Sequence, residues 1–361
     1  MNNIIWFRTD KLGDFLIHSH LIRDTSSSIK DSYTTVVCSP YNEKIIKEYE
    51  FIDETIPYHK DFSIYKKIKI LLRILRRNYH TSVAIDGKKF SYFCSLFAKS
   101  KNKIGLVYRV KSSFLGLFTY TRYRPFTFKF ISKYVIFDHI KVMTGRGSLQ
   151  EVEHLPSIYI SLLEIIQKKT KNTDPYVFPV NKHSEEYILK LLNKIKYKEF
   201  LLIHLDEKWV DIQNFNAECH KLIEEIQRSI NMKIVITSFN NTLSYMNNIR
   251  LNFDTYEHDI NNASILENFN ENIIHLENIP IFEFERLIFN SKYVLSCHSG
   301  FVVQVCGANS SHVIDLLNSS DCMWYDCWVP YNTKYSRALK SDDKRKYSYT
   351  EITDQIKKIV V

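Results

Sequence analysis

Four large apolar residues in a row, Ile4-Ile5-Trp6-Phe7, stand almost at the start of the chain. Side chains of a strand alternate between its two faces, so an unbroken apolar run reads as a buried strand rather than one with a wet side. The polar turn Arg8-Thr9-Asp10-Lys11-Leu12-Gly13-Asp14 follows, and then residues 15–22, largely apolar and read as a helix. Asp14 falls where that helix should begin. Such a position favours Asp, whose carboxylate can accept otherwise unpaired backbone N–H groups. Strand, turn and capped helix make the first βα unit of an α/β domain.

The same alternation continues. Apolar runs at 35–38, 54–56, 82–85 and 103–107 are expected strands of a parallel sheet, separated by amphipathic stretches. In residues 63–77 Ile64, Ile68, Leu71, Leu72 and Leu75 recur at helical spacing, with Lys66, Lys69, Arg73, Arg76 and Arg77 opposite. A surface helix packed on the sheet by that apolar side, with a solvated basic face, is expected. The sharper alternative brings the basic face to an anionic membrane or a phosphorylated acceptor. Residues 129–143 read as a buried helix, and the polar stretch 167–175, ending in Pro175, as a linker. The alternation then restarts, with strands expected at 200–203, 233–236, 293–295 and 313–317. Helices are expected at 185–195, 215–230, 281–290 and 350–361.

A chain of 361 residues is long for one domain and suggests two. No apolar run is long enough to span a bilayer, and the start does not have the form of a signal peptide. Seven cysteines without framework spacing fit a reducing cytosol, all as buried thiols. The net charge of +9 has its basic excess in the first half. Anionic lipid, phosphorylated glycan and nucleic acid are all partners such a charge could meet. The basic and aromatic stretch 107–126 carries no recognisable nucleic-acid motif, so nucleic acid is the weakest of the three.

The first turn, Arg8-Thr9-Asp10-Lys11-Leu12-Gly13-Asp14, resembles the N-terminus of the heptosyltransferase family of glycosyltransferases (family 9), whose pattern is roughly R-x-D-x-x-G-D. Further segments follow in the family's order. Thr35-Val36-Val37-Cys38 with Ser39-Pro40-Tyr41-Asn42 is similar to its second strand and turn. Ile52-Asp53-Glu54-Thr55-Ile56, Val83-Ala84-Ile85-Asp86-Gly87 and Lys103-Ile104-Gly105 resemble three later stretches. The resemblance implies an α/β fold of GT-B type, two Rossmann-like domains facing a central cleft. Residues 1–174 would be the acceptor-side domain and 175–361 the nucleotide-sugar domain, its last helix crossing back onto the first. It also implies an inverting, cytoplasmic enzyme at the inner membrane face. The sugar, heptose or a relative, would pass from a nucleoside diphosphate to a lipopolysaccharide, capsule or other cell-surface glycan.

Site residues follow residue by residue. Asp14 closes the motif and would be the catalytic base, with Gly13 in the turn and Arg8 orienting the loop. Ile203-His204-Leu205-Asp206-Glu207-Lys208-Trp209 occupies the place of the family's phosphate-contacting loop, so Lys208 and Trp209 carry over, with His204 beside them. Ser296-Cys297-His298-Ser299-Gly300-Phe301 resembles its D-[ST]-G loop. Ser299 and Gly300 match, His298 replaces the Asp, and Val303 stands where a His is usual. No Asp-x-Asp pair occurs anywhere, so no metal and no cofactor are expected beyond the donor itself. Lys208 and backbone N–H groups would meet the diphosphate charge. The alternative is a non-catalytic glycan- or nucleotide-binding relative, in which the changes at His298 and Val303 mark lost turnover.

Overall fold

The computed structural model describes residues 2–114, 118–124, 137–145, 153–154, 156–158, 161–162, 164, 178–179, 181–239, 243–257 and 272–360. The expected linker at 167–175 lies outside them. The chain divides into two compact units, residues 1–179 with 326–328, and residues 180–325 with 329–361.

The first unit runs β1 (Asn2–Arg8), α1 (Leu12–Ser28), β2 (Ser32–Cys38), α2 (Pro40–Ile46), β3 (Glu54–Pro57), α3 (Ile64–Leu75), β4 (Asn78–Ala84), α4 (Lys89–Phe97), β5 (Lys99–Phe114), β6 (Phe118–Arg124) and β7 (His139–Thr144). Strand order is β3-β2-β1-β4-β5-β6, with β7 also on β5. Every described pairing in this sheet is parallel except β5 with β6. Ile4, Ile5, Trp6 and Phe7 are wholly buried, as a central strand covered on both faces requires. The chain leaves β1 toward β2 on one side and returns to β4 on the other. The loops after β1 and β4 therefore flank the topological switch point, where open α/β sheets place their ligands.

The second unit contains α5 (Lys182–Lys194), β8 (Phe200–Leu205), a 3₁₀ turn (Glu207–Asp211), α6 (Phe215–Ile230), β9 (Lys233–Ser238), α7 (Met246–Asn252), β10 (Asp254–Glu257) and β11 (Ile273–Glu277). It continues through α8 (Ile281–Asn290), β12 (Tyr293–Ser296), α9 (Gly300–Cys306), β13 (His312–Asn318), α10 (Cys322–Asp326), β14 (Lys334–Ser341) and α11 (Tyr349–Val360). The order β10-β11-β9-β8-β12-β13-β14 is parallel throughout. Its switch point lies between β8 and β12. The last helix, α11, packs on α6 and β14 of its own unit, with Ile352 and Ile356 wholly buried.

Three expectations need correction. Within 129–143, the described residues from 139 onward form strand β7, not a helix, and extend the sheet along β5. Helix α3 turns only Ile70 and Ile74 fully inward, leaving Ile64, Ile68 and Leu72 exposed. Ile70 and Ile74 point to the sheet because the apolar side of α3 is broader than the face the sheet can cover. Finally, six of the cysteines are buried thiols, but Cys322, in the short α10, is partly exposed. Among the described residues no helix is long and apolar enough to cross a membrane.

Candidate active site

At the first switch point Arg8 ends β1 with its side chain almost wholly buried. A buried guanidinium has to be paired. Its Nη1 lies 3.0 Å from Asp10 Oδ2 and donates to the Ile85 carbonyl at 3.1 Å. Its Nε donates to the Asp14 carbonyl at 3.2 Å, and Nη2 stands 3.6 Å from Asp14 Oδ1. Lys88 completes the ring, with Nζ 2.6 Å from Asp10 Oδ1 and donating to the Thr9 carbonyl at 2.8 Å. One cation thus ties the turn after β1 to the loop after β4.

The carboxylate of Asp86 is the internal brace of that loop. It accepts from Thr9 Oγ1 at 2.7 Å, Ser91 Oγ at 2.6 Å and the Lys88 backbone N–H at 3.0 Å. Burial pushes its pKa up and the charge of Asp10 adds to this, while the hydrogen bonds from Ser91, Thr9 and Lys88 oppose it.

Asp14 is not the helix cap. Lys11 holds the N-cap position, and Asp14 is the third residue of α1, after the buried Gly13. Its carboxylate instead reaches back to the Lys11 backbone N–H, as the third residue of a capping box does. About a third of the side chain, 36%, stays open to solvent. Burial of the rest raises its pKa; the positive charge of Arg8 is the largest opposing influence. A carboxylate that is reachable, fixed and raised above its ordinary value is equipped to accept a proton.

At the second switch point the loops after β8 and β12 meet. Asp206 accepts the Lys208 backbone N–H at 2.9 Å and so caps the 3₁₀ turn. Burial raises its pKa, with Lys208 the main opposing charge. Lys208 Nζ donates to the His298 carbonyl at 2.6 Å and lies 5.5 Å from the centre of the Tyr325 ring. His298 adopts a left-handed backbone, φ 54°, an uncommon state for a residue with a Cβ. Asp315 on β13, wholly buried, holds it there. One carboxylate oxygen accepts the His298 backbone N–H at 2.5 Å and the other pairs with Nδ1 at 2.5 Å. Tyr335 Oη donates to the same carboxylate at 3.0 Å. With Nδ1 turned to Asp315, Nε2 is the ring's remaining hydrogen-bonding atom. The ring stacks on Tyr325 with centroids 3.8 Å apart. Ser299 precedes α9 as its N-cap, and Gly300, its first residue, is exposed.

Lys208, His298, Ser299 and Gly300 therefore share one place, as do Arg8, Gly13 and Asp14 in the first unit. Trp209 is wholly buried against Phe215, with Nε1 donating to the His204 carbonyl at 2.9 Å, so it supports the Lys208 turn from beneath. His204 is almost wholly buried too. It packs 4.7 Å from Phe284 and 5.4 Å from the partly exposed Phe239, and burial lowers its pKa to about 4. It is a neutral member of an aromatic layer beside the loop. Val303, where the family pattern has His, is wholly buried. Sequence alone does not single out Asp315, Tyr325, Lys88 or Asp86 for the site; Asp86, at the end of an apolar run, and Asp315, a carboxylate inside an apolar strand, carry a signal. Among the described residues no cluster of three His, Cys, Asp or Glu side chains is placed to hold a metal.

No family model and no curated protein matches the chain by sequence. Solved structures match it along its full length. A family 9 glycosyltransferase from Veillonella parvula aligns over 99% of this chain and 97% of its own, at 11% identity and a TM-score of 0.65. The heptosyltransferase WaaC of E. coli, solved with ADP, aligns over 99% of both chains at 13% identity and a TM-score of 0.61. The fold is GT-B, the one seen in family 9 glycosyltransferases. A UDP-GlcNAc 2-epimerase from Methanocaldococcus jannaschii also aligns, over 100% of this chain and 93% of its own, at 11% identity and a TM-score of 0.58. One fold hosts both chemistries, so the GT-B architecture alone does not choose between them.

The buried histidines make the GT-B fold acid-sensitive. His204 and His275 are both lowered to about 4 by burial, against 6.5 when exposed. Above pH 6.5 both are neutral in either state; below it the unfolded chain binds protons that the folded chain refuses. Stability should fall between pH 6.5 and pH 4, by on the order of 2–3 kcal/mol for each histidine. Urea midpoints measured across this range should show the fall, and His275→Gln should flatten it. An equal slope in the variant would remove His275 from the account.

Proposed function

We propose that this chain is an inverting glycosyltransferase. It moves a sugar, heptose or a relative, from a nucleoside diphosphate to a lipopolysaccharide, capsule or other cell-surface glycan. The observation that carries this is the division of chemistry between the two switch points. One presents a fixed carboxylate raised by burial, Asp14; the other presents an ammonium, Lys208, and an Asp-held imidazole, His298. Transfer from a nucleotide sugar needs both: a base for the incoming hydroxyl and positive charge for the departing diphosphate. The likeness to a family 9 glycosyltransferase and to a heptosyltransferase solved with ADP supports the same assignment.

In the proposed reaction Asp14 takes the proton of the acceptor hydroxyl as its oxygen bonds to the anomeric carbon. The bond from that carbon to the phosphate oxygen breaks, and the diphosphate leaves with the electron pair. One displacement inverts the configuration. Lys208 offsets the charge of the leaving group, the backbone N–H groups that open α9 add to this, and His298 Nε2 is free to hydrogen-bond phosphate or sugar. Arg8 keeps the Asp14 loop in place without entering the reaction. With no Asp-x-Asp pair in the sequence, the charge is assigned to these groups rather than to a metal. The enzyme works in the cytoplasm on an anionic glycolipid or oligosaccharide acceptor, and nucleic acid has no part in it.

Asp14→Asn should lower turnover by about 100- to 10,000-fold, the usual cost of a lost general base. Folding should cost about 1–2 kcal/mol, because the amide still accepts from Lys11 and Arg8 keeps Asp10. A well-folded variant with wild-type turnover, measured as released nucleoside diphosphate, would eliminate Asp14 as the base. Lys208→Ala should weaken binding of a nucleoside diphosphate more than that of the bare nucleoside in calorimetric titration. Equal weakening would place Lys208 away from the phosphates.

A further inference from the structure

Helix α3 is mounted on its sheet in a way that leaves it amphipathic toward the outside. Ile70 and Ile74 meet the core at 8% and 0% exposure, while Ile64 is 76% exposed, Tyr65 72%, and Ile68 and Leu72 48% each. Positions 64, 68 and 72 recur every four residues, so they form one row along the helix, with Tyr65 beside it. On α4, which packs next to α3, Phe93 and Phe97 are each 48% exposed with their rings 4.7 Å apart. Six large apolar side chains facing water on two neighbouring helices is more than scattered exposure and marks a contact surface.

The charges beside this row identify the occupant. Lys66, Lys69 and Arg76 are exposed on the same helix, with Lys66 Nζ 3.4 Å over the Phe62 ring and Lys69 Nζ 5.7 Å from the Tyr65 ring. Arg73 and Arg77 are spent on Glu54. Asp61 is the only acid between residues 60 and 77. A second copy of the chain would set this basic row against its own like. An anionic bilayer satisfies both halves at once, as apolar side chains enter the boundary between headgroups and acyl chains while the cations meet lipid phosphates. We infer that the outer face of α3, with Phe93 and Phe97 of α4, docks this protein flat on an anionic lipid surface. This goes beyond basic attraction alone, because it requires insertion of Ile64, Tyr65, Ile68 and Leu72.

The test is co-sedimentation of the full chain with vesicles of phosphatidylcholine alone or mixed with phosphatidylglycerol, with no nucleotide present. Its outcome is therefore separate from that of the transferase proposal. Binding is expected to the mixed vesicles only, and to weaken with salt. Ile68→Ser with Leu72→Ser should reduce it about tenfold or more. Lys66→Glu with Lys69→Glu should do the same. The melting temperature of each variant should stay near wild type, and Tyr65→Ser, at an exposed position beside the row, replaces any variant that fails to fold. Absence of binding to the mixed vesicles, or serine variants that bind as the wild type does, would overturn the inference. So would a wild-type dimer in analytical ultracentrifugation that the serine variants dissociate, since the row would then be an interface between copies.

Discussion

A guanidinium buried at the carboxyl end of the central strand has to find partners, and around Arg8 the first unit is arranged to supply them. Asp10, the carbonyl of Asp14 and the carbonyl of Ile85 surround it, which fastens the turn after β1 to the loop after β4. Removing one partner of such a buried charge typically costs about 3–5 kcal/mol, because the other is left unpaired in a poor solvent. The second unit solves the same problem with the opposite sign. Asp315, wholly buried on β13, is satisfied by both His298 nitrogens it faces and by Tyr335, and this holds a left-handed turn in place. In both sheets the buried charge stands beside a more accessible group that chemistry can use.

Strand order explains why these groups gather where they do. In each sheet the strand that begins the unit is central and its neighbours leave in opposite directions, so two loops diverge above it. A ligand site there is a property of the topology. What the site does is a property of its side chains, since a transferase and an epimerase are both matched by this backbone. The assignment of glycosyl transfer therefore rests on Asp14, Lys208 and His298 rather than on the fold.

Much of this was legible in the sequence because buried parallel strands announce themselves as short apolar runs. Ile4 to Phe7, Phe200 to Ile203 and Val313 to Leu317 could scarcely be anything else. Edge strands have no such signature. Residues 334–341, Lys-Tyr-Ser-Arg-Ala-Leu-Lys-Ser, form β14 with one sheet neighbour and a polar composition, and 254–257 are similar. Periodicity gives the apolar side of a helix but not which part of it the sheet will cover, so for α3 it points the exposed row inward. Trp209 and Lys208 are adjacent in sequence, yet the 3₁₀ turn sends one into the core and leaves the other at the loop. Asp315 belongs to the site only through its contact with His298, seventeen residues away, and spacing alone does not reveal such a contact.

Glycosyl transfer and epimerisation leave different products from the same donor class, and this offers the most direct measurement. Purified protein would be incubated with a panel of nucleotide sugars and a lipopolysaccharide-type acceptor, following nucleoside diphosphate by phosphorus NMR and the anomeric configuration of the product by proton NMR. Acceptor-dependent release of the diphosphate, with the sugar attached in the inverted configuration, is the result this account predicts. Conversion of the donor to an isomeric nucleotide sugar without release of the diphosphate would contradict it.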